Sequence, residues 1–111
     1  MKATITSIEL KSPLNFFSLS WQARKIMQQL ENSGHLDLKK RGAWKKHYTM
    51  TLWPDEEKMK KFAGSGAHLE AMKKSREIAR EIRTITIDTE ELPSWEEARE
   101  LLGKGKVIVY S

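Results

Sequence analysis

The sequence predicts an α+β fold of the ferredoxin-like kind, from three observations. Apolar residues alternate with threonines in short strand-like runs, they recur at helical spacing in between, and the runs follow one another as β-α-β-β-α-β. An extra helix and strand close the chain. At 111 residues one domain is expected. Its core would span about residues 3–88 and the C-terminal helix–strand extension about 92–111.

Hydrophobic residues make up 39% of the chain and charged residues 32%, which is too apolar for a disordered segment. No apolar run reaches the roughly 20 residues that cross a bilayer, and no basic start leads into an apolar leader. A soluble, cytoplasmic protein with no membrane partner is therefore expected. The chain has no cysteine, which excludes disulfides, thiolate catalysis and thiolate metal sites. Much of the net charge of +5 sits around Gly42, in Lys39-Lys40-Arg41 and Lys45-Lys46; this reads as a solvated hairpin or as a patch for anionic partners.

Residues 3–11 suit a first strand, with Ile5, Ile8 and Leu10 among threonines. Ser12-Pro13 caps a helix in which Phe16, Leu19, Ala23, Ile26 or Met27, and Leu30 share one face, with Gln22, Arg24, Lys25, Gln28 and Gln29 mostly outside and Gly34 as the stop. His35–Lys40 reads as a short strand with Leu36 and Leu38 on one face, followed by an Arg41-Gly42-Ala43 turn. Trp44–Trp53 reads as a longer strand. Tyr48, Met50 and Leu52 share one of its faces; His47, Thr49, Thr51 and Trp53 share the other, which is too polar for a dry core and too aromatic for a plain solvent face.

Pro54 opens a helix with Asp55, Glu56 and Glu57 in the first turn and Lys58, Lys60 and Lys61 further along, each charge on the favourable end of the dipole. Met59 and Phe62 are its buried anchors. Gly64-Ser65-Gly66 breaks it, with Ser65 as the cap of a second helix that carries Leu69, Met72, Arg76 and Ala79 on one face to about Glu81; Ile82–Asp88 follows as a strand. Ser94 and Glu97 make a capping box, Trp95, Ala98, Leu101 and Leu102 an apolar stripe, Gly103 a stop, and Lys106–Tyr110 the last strand. Trp21, Trp44 and Trp95 are expected to be packing residues.

His35, His47 and His68 are the acid/base candidates near neutral pH, and no two of them have the i, i+4 spacing of a helical zinc pair; no metal site is expected. His68 lies in the first turn of a helix, where the dipole favours the neutral imidazole, able to accept a proton or bond a substrate oxygen. It reads equally as a histidine bonded into the Gly-Ser-Gly loop, and Trp53 as a large core residue. The strand order is also that of an RNA-recognition motif, and Arg41-Gly42 begins like its signature. The alternating aromatics that stack bases do not follow, because Ala43, Lys45 and Thr49 stand in that series, so a nucleic-acid partner is not expected.

Tyr48-Thr49-Met50-Thr51-Leu52-Trp53, the acidic turn, Met59, Phe62, Gly66 and His68 through Met72 together resemble the antibiotic-biosynthesis-monooxygenase-like group of the dimeric α+β barrel superfamily, near members related to spheroidene monooxygenase. The resemblance covers about residues 14–87. It implies a ferredoxin-like protomer that pairs its sheet with a second copy as a homodimer, with a small-molecule pocket between sheet and helices. It implies Trp53 and His68 at the pocket with Phe62 as a wall; together with the strand reading, this makes His68 the expected catalytic residue and Trp53, Phe62, Tyr48 and His47 the expected substrate-binding residues. No cofactor is expected, because some members of that group oxidise aromatic substrates with oxygen alone. Others bind haem, in which case His68 would be the axial ligand. The functions that follow are cofactor-independent monooxygenation of a small apolar or aromatic molecule, ligand or haem binding without turnover, and, third, a basic nucleic-acid-binding module.

Overall fold

A computed structural model describes residues 1–110. Strand β1 (Lys2–Leu10) leads through a single 3₁₀ turn, Pro13–Asn15, into α1 (Phe16–Leu30). The hairpin of β2 (Asp37–Ala43) and β3 (Lys46–Trp53) follows, then α2 (Glu56–Ala63) and α3 (Gly66–Ile78). Strand β4 (Ala79–Asp88), α4 (Trp95–Leu102) and β5 (Lys106–Val109) complete the order. The expected α+β, ferredoxin-like plan with its extra helix and strand is the one observed.

The five strands form one antiparallel sheet in the order β2-β3-β1-β4-β5. Strand β1 is central, with Ile5 opposite Met50 on one side and Ile85 on the other. Because side chains alternate between faces, that register puts Ala3, Ile5, Met50, Leu52, Ile85 and Ile87 on one face. Helix α4 closes this face with Ala98, Leu102 and the partly buried Trp95 and Leu101, while Leu92 joins from the preceding loop. It is a dry core. Ser94 caps α4 by accepting from the Glu97 N–H, as its spacing implies.

Helices α1, α2 and α3 cover the opposite face, which carries few apolar side chains. Thr51, Thr4 and Thr86 stand in register across β3, β1 and β4, and Thr49, Thr6 and Thr84 form a second rung. Hydroxyl pairs link Thr4 to Thr86 at 3.4 Å and Thr6 to Thr84 at 3.3 Å. Five of the six are half-buried and Thr86 is exposed. The dry core therefore lies on the α4 side, and the helix-covered side has a floor of hydroxyls.

Several boundaries differ from the sequence expectation. Helix α1 ends at Leu30, and Gly34, at φ +82°, follows a further turn rather than stopping the helix directly. Arg41–Ala43 belong to β2, which places the hairpin turn at Trp44 and Lys45. Leu36 precedes the strand and is exposed, whereas Leu38 packs inward with Trp53. Helix α3 stops at Ile78 instead of Glu81, because a register shift at Glu9/Leu10 lets Ala79 pair with Leu10 and bury itself at the head of β4.

Of the three tryptophans expected to pack, Trp95 does, against Tyr48 at 6.3 Å between ring centres. Trp21 is 59% and Trp44 75% exposed, because α1 turns Trp21 outward and Trp44 sits at the hairpin tip. Met72, expected on the inner face of its helix, is likewise exposed. Trp44 also holds a φ of +60°, a conformation that costs a bulky L-residue about 1–2 kcal/mol. Trp44→Gly is accordingly expected to raise stability by about 1 kcal/mol, read as a higher melting temperature.

Candidate functional site

Trp53 ends β3 on the helix side and is 1% exposed, with its indole N–H donating to the Thr51 hydroxyl at 3.0 Å. Phe62, in the last turn of α2, lies against it with ring centres 5.2 Å apart. The His68 ring is 5.1 Å beyond Phe62. His35 touches the other end of the series, 6.3 Å from Trp53, and its Nδ1–H donates to the Leu30 carbonyl at 2.9 Å. Trp53 and His68 thus do not face each other across an open space; Phe62 stands between them. Leu30, Ile26, Met27, Leu38 and Met59 pack around this aromatic series.

His68 is held at two points. Its Nδ1–H donates to the Ala63 carbonyl at 3.0 Å, so the neutral ring carries its lone pair on Nε2. Its backbone N–H, an unpaired donor of the first helical turn, is capped by the Gln29 side-chain oxygen at 2.9 Å. The Gln29 amide nitrogen donates to the carbonyls of Ser65 at 2.9 Å and Phe62 at 3.3 Å. One side chain from α1 therefore ties down the whole α2–α3 junction. Ser65, expected as the cap, makes no capping bond and turns its hydroxyl back to the Lys61 carbonyl. Gly66 is required for this arrangement: its φ is +60°, and a Cβ there would come within 3.0 Å of the Gln29 amide carbon.

Burial lowers the His68 pKa below its ordinary value, with the Ala63 bond acting in the opposite sense. The ring is neutral at pH 7 by desolvation as well as by its place on α3. A histidine whose folded pKa is depressed binds fewer protons in the folded than in the unfolded chain. Stability is then complete above the unfolded pKa of about 6.5 and falls as pH drops through it. Thermal melts between pH 7.5 and 5.5 are expected to show a fall that is smaller in His68→Gln.

The remaining expected site residues lie elsewhere. His47 is on the same face as Trp53 but six residues down β3, about 20 Å away along the strand. There it stacks on Phe16 at 5.4 Å and donates Nε2–H to the Trp44 carbonyl at 3.1 Å. Tyr48 is on the opposite face, against Trp95, with Arg99 5.8 Å above its ring. The structure therefore brings together Trp53, Phe62 and His68, places His47 at the far end of the same face, and separates Tyr48 from all of them by the sheet.

A surface cleft of about 330 Å³ opens between the end of α1 and α2, lined by Gln29, Asn32, Ser33, Gly34, Lys58, Lys61, Phe62 and Ser65. Phe62 is its contact with the aromatic series, so this ring partitions the cleft from Trp53 and His68. Gln29 was hidden in the sequence as one of several polar residues assigned to the outer face of its helix. The threonine rungs had a legible signal, alternation at positions 4 and 6 and again at 84 and 86, matching 49 and 51.

No protein-family model and no curated protein matches the sequence. Solved structures do match. They include an antibiotic biosynthesis monooxygenase, with a TM-score of 0.71 at 12% identity over 84% of this chain and 100% of that one. A protein from Mycobacterium tuberculosis gives 0.72 at 11% identity over 84% and 98%. The fold is that of the antibiotic biosynthesis monooxygenase-like proteins. A protein from Shewanella oneidensis matches over 97% of this chain and 92% of its own, with a TM-score of 0.68 at 10% identity, a span that reaches into the C-terminal helix–strand extension. At these identities the likeness is one of fold, and it leaves the chemistry to the residues present. Among them, Trp53 joins the hydroxyl floor, through Thr51, to the aromatic series, at whose far end stands a neutral imidazole oriented by a carbonyl. No helix is long and apolar enough to cross a membrane among the described residues, and those residues hold no cluster of three metal-ligating side chains.

Proposed function

We propose that the chain binds a small, largely apolar or aromatic molecule between the threonine floor and the helix layer, and acts on it as a monooxygenase-like protein with His68 Nε2 as the proton acceptor. The observation that carries this reading is the inverted sheet. The apolar face lies under α4, and the face under α1–α3 presents hydroxyls that remain partly accessible, as a binding floor does and a packing core does not. Trp53, bonded to Thr51, supplies flat apolar wall at one end of that floor, with Phe62 against it and His68, the polar group, beyond Phe62. Within the fold, the Trp–acidic turn and Gly-Ala-His pattern of residues 48–72 is what supports a kinship with the spheroidene-monooxygenase-related members.

Oxygen transfer without a cofactor needs a substrate acidic enough to give up a proton and form a carbanion that itself reduces dioxygen. The protein's part is to take the proton and hold the developing negative charge. His68 suits the first task, being neutral and fixed in one tautomer. An oxygen electrode with an enolisable aromatic ketone as substrate tests it. Uptake above the buffer rate that falls by about 10²–10⁴ in His68→Ala is expected. Uptake that is equal in the two proteins removes the assignment.

A haem group is the second reading, with His68 as its axial ligand. The residues present do not fit it: Phe62 is buried against the imidazole, and the nearby cleft is lined by Gln29 and Lys58 rather than by His68. A haemin titration in which a Soret band appears and is lost in His68→Ala would reverse that judgement. Pairing of two copies through their sheets belongs to the same proposal. Light scattering is expected to give twice the 12.9 kDa chain mass, and a strict monomer would contradict it.

A further inference from the structure

The two segments 10–30 and 38–54 hold eight of the twenty basic residues and none of the fifteen acidic ones. The rest of the chain, with twelve bases against fifteen acids, is net negative, so the whole positive charge of the protein derives from these segments. The fold brings their ends together. The Leu10 N–H donates to the Lys45 carbonyl at 2.7 Å, and His47 links the Trp44 carbonyl at 3.1 Å to the Phe16 ring at 5.4 Å. The start of α1 and the β2–β3 turn therefore form one end of the molecule.

That end also carries four strongly exposed large apolar side chains: Leu14 and Trp44 at 75%, Phe17 at 74% and Trp21 at 59%. Phe17 and Trp21 lie one turn apart on the outer stripe of α1, and the Lys25 ammonium sits 5.3 Å over the Trp21 ring. Helix α1 thus shows solvent one stripe on which two apolar rings near its start are followed by the Lys25 cation. Trp44 adds a large amphipathic ring at a turn where its backbone conformation favours glycine.

We propose that this end is a docking surface for an anionic lipid bilayer, which the expectation of no membrane partner did not foresee. Leu14, Phe17 and Trp44 enter the headgroup layer, and Lys45, Lys46, Arg24 and Lys25 face the acidic lipids. A second copy of the chain would bring like charges together on this face. A nucleic-acid strand would require open ring faces in a groove. Here the apolar groups stand on a helix exterior and a hairpin tip, Leu14 has no ring, and the Trp21 face is already taken by Lys25. The proposal does not rest on the enzymatic reading.

Flotation with vesicles of phosphatidylcholine alone and with about one third phosphatidylserine tests it, together with the emission maximum of the tryptophans. Binding to the acidic vesicles alone is expected, with a blue shift and steep weakening by salt. Lys45→Gln and Lys46→Gln should each weaken it about fivefold. Phe17→Ser/Trp44→Ser should abolish the blue shift. Phe17, Trp44 and Lys46 are exposed and Lys45 is half-buried, so the variants are expected to fold, and circular dichroism checks that they do. Absence of flotation at low salt, or flotation equal in the wild type and the aromatic double variant, overturns the proposal. So does tight binding of single-stranded RNA without vesicle binding, or a dimer that dissociates in the double variant.

Discussion

Phe62→Ala is expected to lower stability by about 3–5 kcal/mol, the range for removing a buried phenyl ring from a well-packed site. The ring is 8% exposed and sits between Trp53 at 5.2 Å and His68 at 5.1 Å, so neither neighbour can close the gap without leaving its hydrogen bond to Thr51 or Ala63. The cavity should persist rather than collapse. Two further effects distinguish this residue from an ordinary core position. The 330 Å³ cleft would extend to His68, admitting water, and the His68 pKa, now lowered by burial, would rise towards its ordinary value. A denaturant titration measures the first effect and an NMR titration of the histidines the second. A stability loss with no change at His68 would mean that the imidazole is shielded by α1 and not by Phe62.

The second large effect is expected on the other face of the sheet. Leu102→Ala in α4 should cost about 2–5 kcal/mol, because Leu102 is 3% exposed over Ala3, Ile5, Met50 and Leu52, the driest part of the molecule. The same truncation at the partly exposed Leu101 should cost much less, and the difference in urea midpoints between the two variants tests the orientation of α4. This prediction decides whether the C-terminal helix is an appendage or a structural layer. With α4 absent, the apolar face of the sheet would be open to solvent over its centre. Equal midpoints would mean that this face is covered in some other way.

Much of this was legible in the sequence because local rules and the global fold agree. Alternation of apolar residues with threonines gave the strands, the Ser94 cap gave the start of α4, Pro54 and its acidic turn gave that of α2 to within two residues, Asp55 being its cap, and the order of elements gave the ferredoxin-like plan. Trp53 and His68 were brought together from a strand end and a helix start, the resemblance added Phe62, and the fold sets the three rings in one series. The same reading foresaw an open space between Trp53 and His68, and could not see that Phe62 fills it. It also assigned Tyr48 to the binding residues although its own alternation put Tyr48 on the opposite face from Trp53.

The sequence by itself determined the elements, their order and the two faces of each strand, since these follow from side-chain periodicity and backbone preference within a few residues. Only the tertiary structure decided which polar residues are structural. Gln29 looks like a solvent-facing helix residue until the α2–α3 loop is brought against it, 39 positions away in the chain, and its three hydrogen bonds then cap α3 and orient His68. Likewise, six scattered threonines become a floor only when β3, β1 and β4 align in register. Trp21 and Trp44, apolar enough to be assigned to the core, are left outside because the core is already filled and closed by α4 and Phe62. Contacts between distant segments carry no local signature, and the functional reading of this protein rests on them.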